Sequence, residues 1–179
     1  MDGQFPGEIR WIQGRTQAVF DGWVCSAAGE KKRAFIFAPV QEAGAANEAA
    51  ARRKLRHELG IDPAQLPHDD FRFLTRFHYW AADTLTYGEA PPWGEHEVDY
   101  ILLATADVEC SLNPNEVSEI RYLAKEELSE LLAQEHRNEI MLSPWFKAVA
   151  QKWLPMWWDA LLEGKIDSVK DTTTIHILS

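Results

Sequence analysis

The chain has 179 residues, 46% of them hydrophobic, and its 28 acidic and 18 basic side chains leave a formal net charge of −10. That length suits one domain with a sizeable core and is too short for two full domains. The negative balance argues against non-specific binding to nucleic acid or to an anionic membrane, so an anionic ligand needs a local basic cluster.

The elements follow in chain order. Residues 16–25 (TQAVFDGWVC) and 33–38 (RAFIFA) read as short strands, and 45–59 reads as a helix stopped by Gly60. Phe71, Phe73, Thr75, Phe77 and Tyr79 alternate with Arg72, Leu74, Arg76, His78 and Trp80, a period of two that marks a strand. Gly88, Pro91 and Pro92 interrupt it, and WGEHEVDYILL then opens a strand running to about residue 105. NPNEV at 113–117 is a turn, EIRYLA at 119–124 a strand, and 125–134 a helix rich in Glu and Leu. Ser143-Pro144 starts a further helix, since serine caps and proline fits the first turn. That helix carries Trp145, Phe146, Val149, Trp153, Trp157 and Leu161 at three- and four-residue spacings, a stripe suited to a core. The strands lie too close together for repeated parallel crossovers, so the expected fold class is α/β (α+β), a mixed sheet with helices packed on it.

Cys25 and Cys110 make no disulfide framework or paired metal motif, which fits a reducing compartment. No stretch reaches the roughly 18 apolar residues of a membrane span, and the N-terminus lacks the apolar core of a secretory signal. The expectation is a soluble, intracellular chain.

Two stretches are suited to chemistry. In extended backbone, Glu95, Glu97 and Asp99 line one face while His96, Val98 and Tyr100 point to the other, and three carboxylates so close together need a cation. In RRKLRHELGI, 52–61, a helix sets Lys54 and Glu58 one turn apart, with Arg53 and His57 on the next face. A cation and a carboxylate so placed suit a diphosphate with a bridging Mg²⁺, which prefers one or two carboxylates plus phosphate oxygens. The plainer reading is a surface ion pair worth a few tenths of a kcal/mol.

RRKLRHELGI resembles the end of the Nudix box: Arg53, Leu55, Glu58, Gly60 and Ile61 match, while Lys54 and His57 stand where two glutamates are expected. Hydrolysing Nudix enzymes cluster several glutamates there to bind metals and activate water, so the difference argues against a pyrophosphohydrolase. The chain is more similar to the type I isopentenyl-diphosphate isomerases of that superfamily. AAARRKLRHELGI, TRFHYWA, WGEHEVDYILL, NPNEV, LSPWF and KWLPMWWD occur in order, from about residue 44 onward.

The resemblance implies a single Nudix-like domain over 1–179, a mixed β-sheet sandwiched by helices, with 1–43 divergent. It implies interconversion of isopentenyl and dimethylallyl diphosphate, by adding a proton to the terminal alkene carbon and removing one from C2. By the same resemblance, Glu97 and Tyr79 supply the proton side, Glu95 and Glu97 ligate a divalent ion (Zn²⁺, Mn²⁺ or Mg²⁺), and Glu58 holds a second, diphosphate-bridging Mg²⁺ beside Lys54 or Arg53. Trp145 borders the reacting carbon with its π face; its alternative is the first rung of the core stripe. Asp99 is not required by that site and reads as a capped or solvated strand carboxylate. The implied partner is a small prenyl diphosphate; charge and hydropathy give no expectation of nucleic acid or membrane, and the expected setting is a cytoplasmic monomer, with plastid or peroxisome open if a targeting segment is absent from this sequence.

One departure matters. The family's first metal takes three histidines from the N-terminal portion, yet no histidine precedes His57, and Ala27 follows Cys25-Ser26 where the last is expected. His78 and His96 are turned by strand parity away from Tyr79 and from the Glu95/Glu97 face. A non-catalytic prenyl-diphosphate binder is therefore the alternative to an isomerase, with a Nudix hydrolase third.

Overall fold

The computed structural model describes residues 8–14, 19–27, 33–40, 46–66, 71–82, 88–90, 92 and 94–178; for 8–14, 19–27, 33–40, 46, 47, 95, 118, 119, 121 and 122 the description is of backbone only. Two four-stranded sheets form the frame. One has the order β6-β1-β2-β7, from β1 (Glu8–Gly14), β2 (Val19–Ala27), β6 (Val117–Ala124) and β7 (Met141–Leu142). The other has the order β3-β5-β4-β8, from β3 (Arg33–Val40), β4 (Arg72–Ala82), β5 (Gly94–Asp107) and β8 (Ile175–Leu178). Neighbours pair antiparallel except β2 with β7 and β4 with β8, so both sheets are mixed.

Helices cover both faces of the second sheet. On α1 (Ala46–Leu59), Ala50, Ala51, Leu55 and Leu59 pack with Leu102, Ala104 and Ala106 of β5. The opposite face, carrying Leu74, Phe77, Tyr79, Ile101 and Leu103, is covered from α2 (Lys125–His136), α3 (Pro144–Lys152) and α4 (Leu154–Leu162). Trp157, 1% exposed, lies among these side chains, and Phe77 meets Trp153 edge-on at 4.7 Å between ring centroids. Burying side chains of this size stabilises by about 2–3 kcal/mol each, which makes α3 and α4 the main clamp on that face.

The mixed sheet between helices agrees with the expected class. The expected helix over 45–59 is found as Ala46–Leu59, and Gly60 ends it with φ +62°. Residue 45 and residues 16–18 of the expected first strand lie outside the described residues. Three strands that sequence patterning left unassigned, β1, β7 and β8, complete the sheets.

Two expectations need correction. The regular alternation through β4 is broken by a register shift between Phe73 and Thr75: Phe73 opposes Leu102 and Thr75 opposes Ile101. One extra residue reverses side-chain parity. Phe71 and Phe73 consequently join the cluster under α1, and Phe77 and Tyr79 the cluster under α3 and α4. The single helix expected after Ser143 is two, because Pro155 has no N–H to give the carbonyl four residues earlier. Backbone bonding resumes with Trp157 N–H donating to the Trp153 carbonyl at 2.9 Å.

Candidate active site

Register decides which side chains meet. Across β4 and β5, Tyr79 is opposite Glu97, Phe77 opposite Asp99 and Ala81 opposite Glu95. Directly opposed residues share a face. Tyr79 is 3% exposed and Glu97 half-buried, so a phenol and a carboxylate lie side by side at the margin of the core under α3 and α4. His78 and His96 stand on the reverse face, their Nε2 atoms 2.8 Å apart, as strand parity requires. Glu95 is placed by its backbone pairing with Ala81, and its side chain is outside the described residues.

Trp145 reaches this face through a short run of local signals. Leu142 in β7 pairs with Phe20 of β2, and the buried Ser143 then caps α3, its Oγ accepting from Phe146 N–H at 3.2 Å. Pro144 occupies the first turn, where a missing N–H costs nothing. Trp145 follows, 7% exposed, and its Nε1–H donates to Asp99 Oδ2 at 3.0 Å. Of the two expectations for Asp99, capped or solvated, the solvated one is corrected: it is 3% exposed, sealed beneath α3 and bonded to the indole. A buried carboxylate needs donors, and a buried indole N–H needs an acceptor. That second requirement, with the parity already placing Asp99 beside Glu97, was the available signal for the pair.

Arg53, Lys54 and Glu58 belong to α1, whose apolar stripe packs on the other face of β5 from Glu97. Lys54 Nζ lies 3.8 Å from Glu58 Oε1, the expected one-turn pair, with 42% and 19% of the side chains exposed. Arg53 and His57 are exposed. Arg52, which sequence reading left unassigned, ties α1 to the following turn: it pairs with Glu48 and donates to the carbonyls of Pro63 and Leu66. The site residues thus fall into two sets, Tyr79–Glu97–Asp99–Trp145 on one sheet face and Lys54–Glu58 on α1. Cys25 and Ala27 lie in β2 at backbone level, their side chains outside the described residues.

The donor set bears on metal binding. Among the described residues no three His, Cys, Asp or Glu side chains converge as a cage. Single carboxylates such as Glu97 and Glu58 fit a hard ion that takes most of its oxygens from phosphate and water, as Mg²⁺ does.

Comparison with known proteins places the chain in a family. The NUDIX domain family matches residues 7–146. The chain is 39% identical over 138 residues to the isopentenyl-diphosphate Delta-isomerase of Dictyostelium discoideum, covering 76% of this chain and 56% of that protein. It is 45% identical over 125 residues to the isopentenyl-diphosphate delta-isomerase of Phaffia rhodozyma, covering 66% and 46%, and 40% identical over 128 residues to isopentenyl-diphosphate Delta-isomerase 1 of Bos taurus, covering 71% and 52%. The chain spans about half the length of the curated relatives it matches. On these matches the chain belongs to the NUDIX domain family, and within it the sequence is similar to the isopentenyl-diphosphate isomerases.

Proposed function

We propose that this chain interconverts isopentenyl and dimethylallyl diphosphate. The observation that carries the reading is that Tyr79 and Glu97 stand opposite one another on the sheet face that Trp145 covers, with Trp145 bonded to Asp99 two residues along the strand from Glu97.

Each residue has a distinct task. Glu97, opposite Tyr79 across β4 and β5, is the group from which a proton passes to the terminal alkene carbon; the alkene electron pair forms the new C–H bond and leaves a tertiary cation at C3. A proton then leaves C2 on the opposite side of the substrate to solvent, its bonding pair becomes the C2=C3 double bond, and Glu97 regains a proton from solvent, so no net proton is consumed. Tyr79 is 3% exposed, so water is largely kept from the phenol, and a cation beside it would be partly shielded from capture. Trp145 offers its π face to that cation, an attraction of roughly 2 kcal/mol or more once water is excluded. Realised only in the transition state, this is about thirtyfold in rate. Lys54 and Arg53, on α1 behind the other face of β5, would neutralise a diphosphate only where it extends past the end of that strand, with Glu58 as the carboxylate for a bridging Mg²⁺. Glu97, with Glu95, would hold a second divalent ion, whose charge would offset the carboxylate repulsion and raise the acidity of the proton source.

The test is deuterium uptake. In heavy water with Mg²⁺, isopentenyl diphosphate should acquire deuterium and equilibrate with its isomer, followed by proton NMR. Binding of the diphosphates without uptake at high protein concentration would instead establish a non-catalytic binder, the outcome that the absence of histidine before His57 makes worth resolving. Release of inorganic phosphate or pyrophosphate would point to hydrolysis, against the Lys54 and His57 substitutions in the helix.

A further inference from the structure

We infer that Asp99 is a positioning residue whose negative charge tunes the Trp145 indole for cation stabilisation; the inference rests on the isomerase reading above. The pair is buried on both sides, with Asp99 3% and Trp145 7% exposed, and the bond of 3.0 Å joins residues 46 positions apart. It therefore depends on the finished fold and not on local backbone. Asp99 is opposite Phe77 and two residues along the strand from Glu97, so the tether acts at the end of the sheet where the proton source stands.

A neutral acceptor would satisfy an indole N–H at a smaller desolvation cost than a carboxylate. The carboxylate does two things that a neutral group does less well. A charge-assisted bond is stronger and holds the ring more firmly in one orientation. A negative charge at the indole N–H edge also enriches the π face in electron density, and the resulting attraction for a cation over that face is largest where water is excluded. The substrate is uncharged at its hydrocarbon end and becomes cationic only in the reaction, so the effect belongs to the transition state and appears in kcat.

Asp99→Asn keeps the acceptor oxygen and the volume while removing the charge. The expected result is a fall in kcat of about tenfold, equivalent to about 1.4 kcal/mol, with KM within about twofold of wild type because the diphosphate contacts are untouched. Calorimetry supplies a readout independent of turnover. Wild type should prefer a tertiary-ammonium diphosphate copy of the cation over its uncharged carbon counterpart, and Asp99→Asn should lose about fivefold or more of that preference. Unchanged kcat and unchanged preference in Asp99→Asn would reduce Asp99 to a structural acceptor and overturn the inference alone. Failure of wild type to bind either diphosphate or to turn over would overturn it together with the isomerase reading. If Asp99→Asn does not fold, NMR of wild type decides: the indole N–H signal missing from Trp145→Phe should be shifted downfield and should move further with the ammonium compound than with the uncharged one. Equal movement with both would overturn the inference.

Discussion

Gly60 is where a single methyl group tests how α1 is held. Its φ of +62° is left-handed, and a Cβ there would fall 2.1 Å from the Ser111 carbonyl oxygen, well inside contact distance. Placing alanine in that backbone region costs about 1–2 kcal/mol. Relief of the clash requires the 111–113 segment to withdraw, which breaks Ser111 N–H to Leu59 O (2.8 Å) and Asn113 N–H to Glu58 O (3.0 Å). At about 1 kcal/mol per bond, Gly60→Ala should lose about 3–4 kcal/mol in all. Gly164 is the internal control: its φ is +67°, but an added Cβ meets nothing within 4 Å. Gly164→Ala should cost only the conformational part, about 1–2 kcal/mol. In urea, with a slope of about 2 kcal/mol/M, the two midpoints should fall by about 1.5–2 M and 0.5–1 M. Equal shifts would refute the close approach as the reason for glycine at 60.

Three further outcomes are expected. Glu97→Gln should lower deuterium uptake from heavy water by about 10²–10⁴-fold, with its circular dichroism unchanged; uptake within threefold of wild type would remove Glu97 from the proton path. Lys54→Met should raise KM by about tenfold with kcat nearly constant, and the difference should shrink as salt is added; an effect confined to kcat would contradict a diphosphate contact. Hydrogen bonds from Thr174 and Thr173 hold the Asp171 carboxyl well below the usual carboxylate range. A depressed carboxyl stabilises above its unfolded value of 3.8 and loses that contribution as pH falls through its folded value. Because His176 Nε2 also lies 3.2 Å from this carboxyl, the test is confined to acid pH: the melting-temperature gap between wild type and Asp171→Asn should narrow as pH falls below about 4, and widening there would reverse the assignment.

Legibility in the sequence follows how many residues a signal needs. The face shared by positions 95, 97 and 99 required only that the segment be extended, and the β4–β5 register bears that parity out. The Ser143-Pro144 start and the Gly60 stop were readable because cap chemistry is local. The β4 bulge was not readable: RFLTRF contains no glycine to mark it, and it is settled by Phe73 and Thr75 meeting the consecutive Leu102 and Ile101 across the sheet, with Leu74 left over between them. β7 and β8, of two and four residues, are too short for a periodic pattern to emerge. Pro155 was visible, yet the stripe from Trp145 to Leu161 keeps its spacing across the break, so periodicity alone read as one helix. Asp99 was left between a capped and a solvated carboxylate because the covering indole comes from 46 residues away.

The bulge also explains how the site and the core coexist. Had β4 alternated strictly, Phe71 and Phe73 would face the same way as Phe77 and Tyr79, leaving α1 without its aromatic contacts and crowding the side that α3 and α4 must cover. The extra residue divides the strand between the two layers: Phe73 reaches Tyr100 at 6.1 Å between centroids on the α1 side, and Phe77 reaches Trp153 and Trp157 on the other. Parity restored beyond Thr75 then sets Tyr79 opposite Glu97. Beyond that point the layer changes character along one strand face, from Leu103 and Ile101 in the core, through Asp99 under the indole, to the half-buried Glu97. The aromatic clamp of α3 and α4 offsets the cost of burying Asp99, and the same packing secures Trp145 at the boundary where apolar core gives way to carboxylates. On the proposed isomerase reading, a hydrocarbon tail that becomes briefly cationic is best served at such a boundary, since neither a wholly apolar pocket nor an open acidic surface would both exclude water and offer compensating charge.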